Sequence, residues 1–201
     1  MALPKLNTPT YELELPSTAE KIKYRPFLVK EQKVLMMAQD SGEDQQIAEA
    51  MGNLVSSCTF GKVDAETSPM FDLEYVFLKV RGKSVGETVQ LSLICPDDEK
   101  TTVPVNLKLD DIEVQMLDNH TNEINISESV KVVFRYPLLN DMKSMDKDST
   151  DIQKVFHFLV NCMHEIHYDD DVYRRIDLKD KEIEDFIDQF TGEQFELITN
   201  F

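Results

Sequence analysis

The sequence predicts an α+β fold in which an antiparallel sheet is flanked by helices and a helical extension forms the C-terminal part. Two observations carry this prediction: residues 68–114 contain a helical run followed by two alternating segments, and residues 11–27 contain a further alternating stretch. Apolar side chains at every second position are typical of half-buried strands, whereas a spacing of three or four is typical of helices. Both element types are therefore expected in the first half of the chain.

The central stretch has the plainest pattern. Ser68 and Pro69 predict a helix start and Gly82 predicts its end, because serine and proline favour the first turn and glycine favours the position after the last. Residues 89–95 and 103–109 then alternate around a short acidic segment. The stretch is predicted to be a helix followed by a β-hairpin with a solvated tip.

A second hairpin is predicted near the N-terminus. Residues 11–15 alternate, a Pro-Ser-Thr turn follows, and residues 22–27 continue the same period. Residues 29–39 and 47–58 then show helical spacing of apolar side chains. Both segments are predicted to be core helices.

Further strands are predicted after the central hairpin. Residues 112–116 and 124–126 alternate, and residues 130–136 are rich in β-branched and aromatic side chains. Together with the central hairpin, these segments predict a meander of about five antiparallel strands. Periodicity is lost over residues 138–150, which are predicted to be a linker or mobile loop.

This linker divides the predicted domains, an α+β domain over residues 1–137 and an acidic helical region over residues 151–201. Residues 141–201 carry sixteen acidic and seven basic side chains. A helix capped by Ser149 or Thr150 is predicted to continue to Ile166 along one apolar stripe.

The C-terminal tail carries more apolar surface than a solvated tail needs. An apolar stripe covers residues 183–190, and Thr191 and Gln194 have the spacing of a capping box before a last helical turn. Two interpretations stay open. The tail either docks on its own domain or forms a helical hook that inserts into the groove of a partner.

Composition excludes several function classes. The chain has 201 residues, of which 41% are hydrophobic and 29% charged, and its formal net charge is −17. Such a surface repels phosphate groups, so neither nucleic acid nor an anionic membrane surface is expected as a partner. Three scattered cysteines and the lack of an apolar leader behind Met1 predict reduced thiols in the cytoplasm.

No catalytic site is predicted. The sequence contains no phosphate-binding glycine loop, no dinucleotide fingerprint and no nucleophile elbow. Paired acids such as Asp97 and Asp98 fall in turns open to water, where nothing would raise a carboxyl pKa as acid–base catalysis requires. We therefore expect a protein that is not an enzyme and that needs no cofactor.

The alternative is a metal-binding domain or a metal-dependent enzyme. On one continuous helix, His157, His164 and His167 would converge on one flank. Their spacing differs from the HExxH pattern of zinc proteases, whose two histidines are four residues apart. These histidines are therefore predicted to be surface or boundary residues, and metal ligation is kept as the competing hypothesis.

Six segments carry a similarity to a known family, namely residues 3–11, 15–18, 22–33, 71–78, 81–87 and 109–112. They resemble the baseplate hub assembly proteins of T-even-type contractile-tailed bacteriophages. The resemblance implies a late viral protein, acting as an assembly chaperone or hub subunit, that binds other hub or tail proteins in the host cytoplasm. A structural subunit retained in the virion tail baseplate is the alternative that it leaves open.

The predicted partner contacts lie at the two ends of the chain, where apolar side chains are dense. These residues are Leu3, Leu6, Tyr11, Phe186, Phe190, Phe195, Ile198 and Phe201.

Overall fold

The computed structural model describes residues 6–116, 120–145 and 148–199, and it confirms the predicted α+β class. The chain divides into two compact units, unit 1 (Met1–Gln115) and unit 2 (Met116–Phe201). Each unit begins with a β-hairpin followed by two helices. The elements of unit 1 are β1 (Tyr11–Glu14), β2 (Lys21–Tyr24), α1 (Val29–Ser41), α2 (Asp44–Cys58), α3 (Met70–Val85), β3 (Thr88–Ile94), β4 (Thr102–Lys108) and a 3-10 turn (Leu109–Asp111).

Both predicted hairpins are confirmed. β1 pairs with β2 in an antiparallel register that places Leu13 opposite Ile22. β3 pairs with β4 in a register that places Leu91 opposite Val105. Among the described residues, each pair forms a separate two-stranded sheet.

The predicted limits of α3 are wrong at both ends. The helix begins at Met70 with Pro69 at the N-cap, and it continues through Gly82 to Val85. A Cβ atom at position 82 would lie 3.9 Å from the Leu109 side chain, an ordinary van der Waals distance. The helix stops at Gly86, whose φ of 122° is a conformation that glycine tolerates and other residues rarely adopt.

The prediction of two core helices holds for α2 but not for most of α1. In α2, the buried side chains include Leu54, Val55 and Cys58. In α1, Val34, Met36 and Met37 are exposed, and Ala38 is its buried apolar residue. The apolar run in α1 wraps around the helix instead of forming one stripe, so most of it faces solvent.

Unit 2 is organised around a four-stranded antiparallel sheet in the order β5-β6-β7-β8. Its helices pack on this sheet and on each other. The elements of unit 2 are β5 (Glu123–Asn125), β6 (Val130–Phe134), α4 (Leu139–Lys143), α5 (Asp151–Cys162), β7 (Met163–Tyr168), β8 (Asp171–Arg174), a 3-10 turn (Arg175–Asp177), α6 (Asp180–Ile187) and α7 (Gly192–Thr199).

The strands of this sheet differ from the predicted meander. Residues 112–116 form no strand, and the central hairpin belongs to its own sheet. The helix predicted to reach Ile166 ends at Cys162, and β7 follows directly. β7 pairs with β6, with Ile166 opposite Val132, so a tertiary pairing replaces the last helical turn.

The segment predicted as a linker is part of the fold of unit 2. Residues 138–150 contain α4, in which Leu139 and Asp141 are buried. The strands before and after it, β6 and β7, are neighbours in one sheet. The division between units therefore lies between residues 115 and 116 and not at the predicted linker.

The described part of the tail docks on its own unit. Ile183, Ile187 and Ile198 are buried in a core cluster together with sheet residues such as Val132 and Phe134. Both predicted caps are confirmed by reciprocal hydrogen bonds. They are the pairs Thr150 with Gln153 and Thr191 with Gln194.

Candidate protein-binding surfaces

The hairpin β3-β4 has one apolar face and one polar face. Side chains opposite each other in an antiparallel pair lie on the same face of the sheet. The pairs on one face are all apolar, and we call this set the hairpin face: Val89 with Leu107, Leu91 with Val105 and Leu93 with Val103. The intervening pairs, such as Gln90 with Asn106, are mainly polar.

The hairpin face is largely open to solvent. Leu93 is 51% exposed, Val103 45% and Leu91 40%. A two-stranded hairpin is only marginally stable in water, and it gains stability when its apolar face packs on another element. Contiguous apolar surface of this kind is typical of a protein-binding site.

The outer edge of β4 is poorly suited to adding a further strand. Pro104 lies in the middle of β4, opposite Ser92. Proline cannot donate to a ladder of hydrogen bonds and is found where its nitrogen faces outward. Contact through the face is therefore favoured over pairing along this edge.

The base of the hairpin is held by α3. Lys79 is 8% exposed, and its Nζ donates to the carbonyl oxygens of Leu109 at 3.3 Å, Asp110 at 2.9 Å and Ile112 at 3.2 Å. A single ammonium group thus satisfies three acceptors where the chain leaves β4. These bonds fix the hairpin to the body of unit 1.

The tip of the hairpin holds a cluster of three potential metal ligands, Cys95, Asp97 and Asp98, the one such cluster found among the described residues. Asp98 accepts hydrogen bonds from the backbone N–H groups of Lys100 at 3.0 Å and Thr101 at 2.9 Å. The hydrogen bond from the Thr101 hydroxyl and these N–H groups lower the pKa of Asp98. The Asp98 carboxylate thus stabilises the turn at the solvated tip of the hairpin.

A second apolar surface is a groove in unit 2 with a volume of about 670 Å³. Its walls come from the end of β6 and the segment after it, from α5 and from α7. They include Phe134, Pro137, Ile152, Val155, Phe195 and Ile198. Ile152 is 72% exposed, so the groove is open on the α5 side.

The predicted contact residues have very different positions. Leu6 is 90% exposed, Tyr11 is half-buried, and Ile198 is fully buried. Phe186, Phe190 and Phe195 pack partly buried against the core of unit 2. Leu3 and Phe201 lie outside the described residues. The predicted contact residues do not include the hairpin face, although the alternation of apolar and polar side chains in both predicted strands indicates it.

The structure does not place the three histidines on one helix. His157 lies on α5, whereas His164 and His167 lie on β7. His157 Nε2 is 2.8 Å from the carbonyl oxygen of Asp141, and His167 Nε2 is 3.0 Å from Glu165 Oε2. The helical convergence on which the metal hypothesis rests is therefore wrong.

A feature that the sequence prediction missed is a motif of the form R-x-x-L-x-x-[DE]-x-K, which occurs once in each unit. We call it the Arg–acid motif, and it covers residues 25–33 and 135–143. In unit 1, Arg25 Nη2 donates to Glu31 Oε1 at 3.0 Å, and the N–H of Leu28 donates to Glu31 Oε2 at 2.7 Å. The acid thus joins the end of β2 to the first turn of α1.

Unit 2 repeats these contacts and adds a second bond from the arginine to the acid. Arg135 donates to Asp141 through Nη1 at 2.6 Å and Nη2 at 2.8 Å, and the N–H of Leu138 donates to Asp141 Oδ2 at 2.7 Å. Burial acts to raise the pKa of Asp141, but the bonds from Arg135 and Leu138 outweigh it and hold this pKa below its usual value. The pKa of Glu31 is likewise lowered against the effect of burial by the corresponding bonds.

Each arginine also has the same backbone partner, a buried cysteine at the end of the second helix. The N–H of Arg25 donates to the carbonyl oxygen of Cys58 at 3.0 Å, and that of Arg135 donates to Cys162 at 2.8 Å. Burial raises the pKa of the Cys58 thiol to about 11 and that of Cys162 to about 12. Both thiols are therefore protonated and unreactive in the folded protein.

The fold and these surfaces define an α+β protein with apolar surfaces suited to binding other proteins. Among the residues that the structure describes, none of the helices has the length and apolar character needed to cross a bilayer. Residues 8–201 match the family described as T4 bacteriophage base plate protein, and the chain belongs to this family. Comparisons with curated proteins and with solved structures found no match.

Membership confirms the resemblance to phage tail proteins at the level of the baseplate. It indicates a structural or assembly role in the tail baseplate, with other baseplate proteins as partners.

Proposed function

We propose that this protein is a non-enzymatic assembly protein that binds other subunits during formation of the central hub of the phage baseplate. The observation that carries the proposal is the hairpin face, a set of apolar pairs held outward on an anchored hairpin. Family membership supports baseplate proteins as the partners, and the resemblance of the N-terminal segments supports the hub in particular.

The charge of the chain favours a partner that is not a second copy. With a net charge of −17, two copies repel each other at close range. The hairpin tip adds Asp97, Asp98 and Glu99 beside the apolar face. A partner that presents an apolar patch with basic residues at its rim is complementary to this hairpin.

The test is a double variant of the hairpin face, Leu91→Thr with Leu93→Thr, in the full chain. Threonine keeps the β-propensity of the strand but removes apolar contact area. The matched control is Gln90→Thr with Ser92→Thr, on the polar face of the same strand. We expect the first variant to lose co-purification with hub subunits and to fail in hub assembly, whereas the control behaves as the parent protein.

Circular dichroism establishes that both variants are folded. Normal hub assembly by a folded Leu91→Thr, Leu93→Thr variant contradicts the proposed role of the hairpin face.

A second candidate function is that of a structural subunit retained in the finished virion. The description of the matched family, a base plate protein, favours it. Mass spectrometry of purified virions distinguishes the two roles. A stoichiometric amount in virions supports the structural subunit, and its absence supports the assembly factor.

A further inference from the structure

The two units share more than the Arg–acid motif, because the second strands of their hairpins align residue by residue in sequence and the first strands match through their pairing partners. Counted from the arginine, Tyr24 corresponds to Phe134 and Ile22 to Val132, and all four side chains are buried. Leu13 faces Ile22 in unit 1, and Ile124 faces Val132 in unit 2. The hairpin, the arginine bridge and the helix ending in a buried cysteine therefore form one module that occurs twice.

In unit 1, a third helix covers this module along its whole length. α3 packs against α2. Near the start of α3, Asp72 accepts hydrogen bonds from the N–H of Ser17, at 3.1 Å, and from the Ser17 hydroxyl. Ser17 lies in the turn of the hairpin. Near the end of α3, the Ser84 hydroxyl accepts a hydrogen bond of 2.9 Å from the N–H of Phe27, which is two residues after Arg25.

In unit 2, α7 begins at the corresponding place, and its described part is much shorter than α3. Gln194 Nε2 donates to the carbonyl oxygen of Ile126 at 3.1 Å, at the turn of the β5-β6 hairpin. α7 packs on α5, and Ile198 enters the core. Thus α7 takes the position that the first half of α3 has in unit 1.

The described part of α7 is shorter than the corresponding span of α3 by about two helical turns. In unit 1, Ser84 is twelve residues after Asp72, and in an α-helix such a separation spans about 18 Å. In unit 2, the described part of α7 continues five residues beyond Gln194, to Thr199, which spans about 8 Å.

The groove of unit 2 lies at this place. Ile198 and Thr199, at the end of α7, form one of its walls. Pro137 forms another wall, and it is the counterpart of Phe27, because each stands two residues after the arginine of its unit. Where the end of α3 covers the module in unit 1, the module in unit 2 has an open apolar groove.

We infer that the groove of unit 2 binds an amphipathic helix of a partner protein, in the position that the second half of α3 has in unit 1. The helix presents apolar side chains three or four residues apart, which is the spacing of the buried apolar residues Leu73, Val76 and Val80 along α3. Asp151 and Glu196 are exposed on the helices beside the groove, so basic residues on the flanks of the helix are complementary. This site is separate from the hairpin face and goes beyond the function proposed above.

The experiment uses the full chain with a photo-cross-linking residue, p-benzoylphenylalanine, at position 155, in cells that are assembling phage. Val155 lines the groove and is 41% exposed. Mass spectrometry then maps the cross-linked segment. We expect a helical segment of another baseplate protein with apolar residues three or four positions apart and basic residues on its flanks.

A second measurement uses the mapped segment as a synthetic peptide. Ile152→Asp introduces a charge into the groove, and the matched control Ile176→Asp introduces one at an apolar site that is 89% exposed outside it. We expect Ile152→Asp to weaken peptide binding at least tenfold and Ile176→Asp to leave it unchanged. A Leu91→Thr, Leu93→Thr chain should still cross-link at position 155, which separates this site from the hairpin face.

Four outcomes overturn the inference. They are a cross-link to a second copy of the chain, a cross-link to its own residues 200–201, a cross-link to a segment without helical apolar spacing, and no cross-link during assembly.

Discussion

At the scale of single residues, the two Arg–acid motifs determine how each hairpin joins the helix that follows it. A buried carboxylate is stable in the charged form only if it is paired and hydrogen-bonded. Glu31 and Asp141 each meet this condition through an arginine and one backbone N–H. The motif could be recognised in the sequence once its two copies are aligned, but a single copy resembles any polar segment before a helix.

Replacement of Asp141 by asparagine should destabilise unit 2. Asparagine keeps the size of the side chain but leaves Arg135 without its charged partner. The expected loss is about 3 kcal/mol, at the lower end for breaking a buried pair, because Arg135 is partly exposed. Urea denaturation followed by circular dichroism measures it. The control Asp170→Asn, at an exposed position, should change stability by less than about 0.5 kcal/mol.

Stability should also decrease at acid pH. The folded-state pKa values of Glu31 and Asp141 lie below their ordinary values of 4.5 and 3.8. Groups with a lowered pKa contribute stability above the unfolded pKa, and this contribution is lost as pH falls through the folded pKa. We therefore expect the free energy of unfolding to decrease steadily below about pH 5.

Urea titrations at several pH values measure this dependence. The decrease should be smaller for Asp141→Asn, because one of the two groups is removed. An identical pH dependence in that variant would contradict the assignment to Asp141.

At the scale of elements, the hairpin β3-β4 depends on Lys79 at its base. Lys79→Met keeps the aliphatic stem but removes the donor for the carbonyls of Leu109, Asp110 and Ile112. Buried acceptors without a donor are unfavourable, and the expected loss is about 2 kcal/mol. Hydrogen exchange should become faster in β3 and β4. Lys33→Met, at an exposed position of α1, is the control and should leave exchange unchanged.

Elements defined by local contacts were predictable, and those defined by distant partners were not. Both hairpins follow from alternation around a turn, so their registers are nearly local. β7 was mistaken for helix because Met163 and Ile166 also fit the stripe of α5. This segment forms a strand because it pairs with β6, which precedes α4 and α5 in the chain. The exposure of α1 also could not be predicted from the sequence, because burial depends on which neighbouring elements cover a helix.

The tail follows the same rule, because its apolar pattern is compatible with a hook and with a docked element. Deletion of residues 183–201 removes Ile183, Ile187 and Ile198 from the core of unit 2. At about 1.5–3 kcal/mol for each buried side chain, the loss approaches the whole stability of a small domain. We expect unit 2 to unfold, as seen by the loss of dispersed methyl signals of β6 and β7 in NMR spectra. A truncated chain with a native unit 2 would instead identify the tail as a separate hook.

At the scale of the whole molecule, the sequence indicates the fold class and the family of the protein more clearly than it indicates the surfaces that bind partners. The N-terminal segments resemble phage baseplate proteins, and the family match over residues 8–201 agrees with them. The groove of unit 2 gave no signal, because β6, α5 and α7 contribute its walls from distant parts of the chain. The boundary between units also differs from the predicted linker, since α4 belongs to the packed part of unit 2.

In each unit, the buried cysteine at the end of the second helix can report the local opening of that unit. Cys58 and Cys162 are buried, one in each unit, while Cys95 lies only half-buried beside the hairpin tip. A thiol reagent should therefore modify Cys95 first and the other two only as fast as their units open. Labelling rates at Cys58 and Cys162 then report the opening of the two units separately. The measurement needs no substitution in the chain and can be made during assembly with its partners.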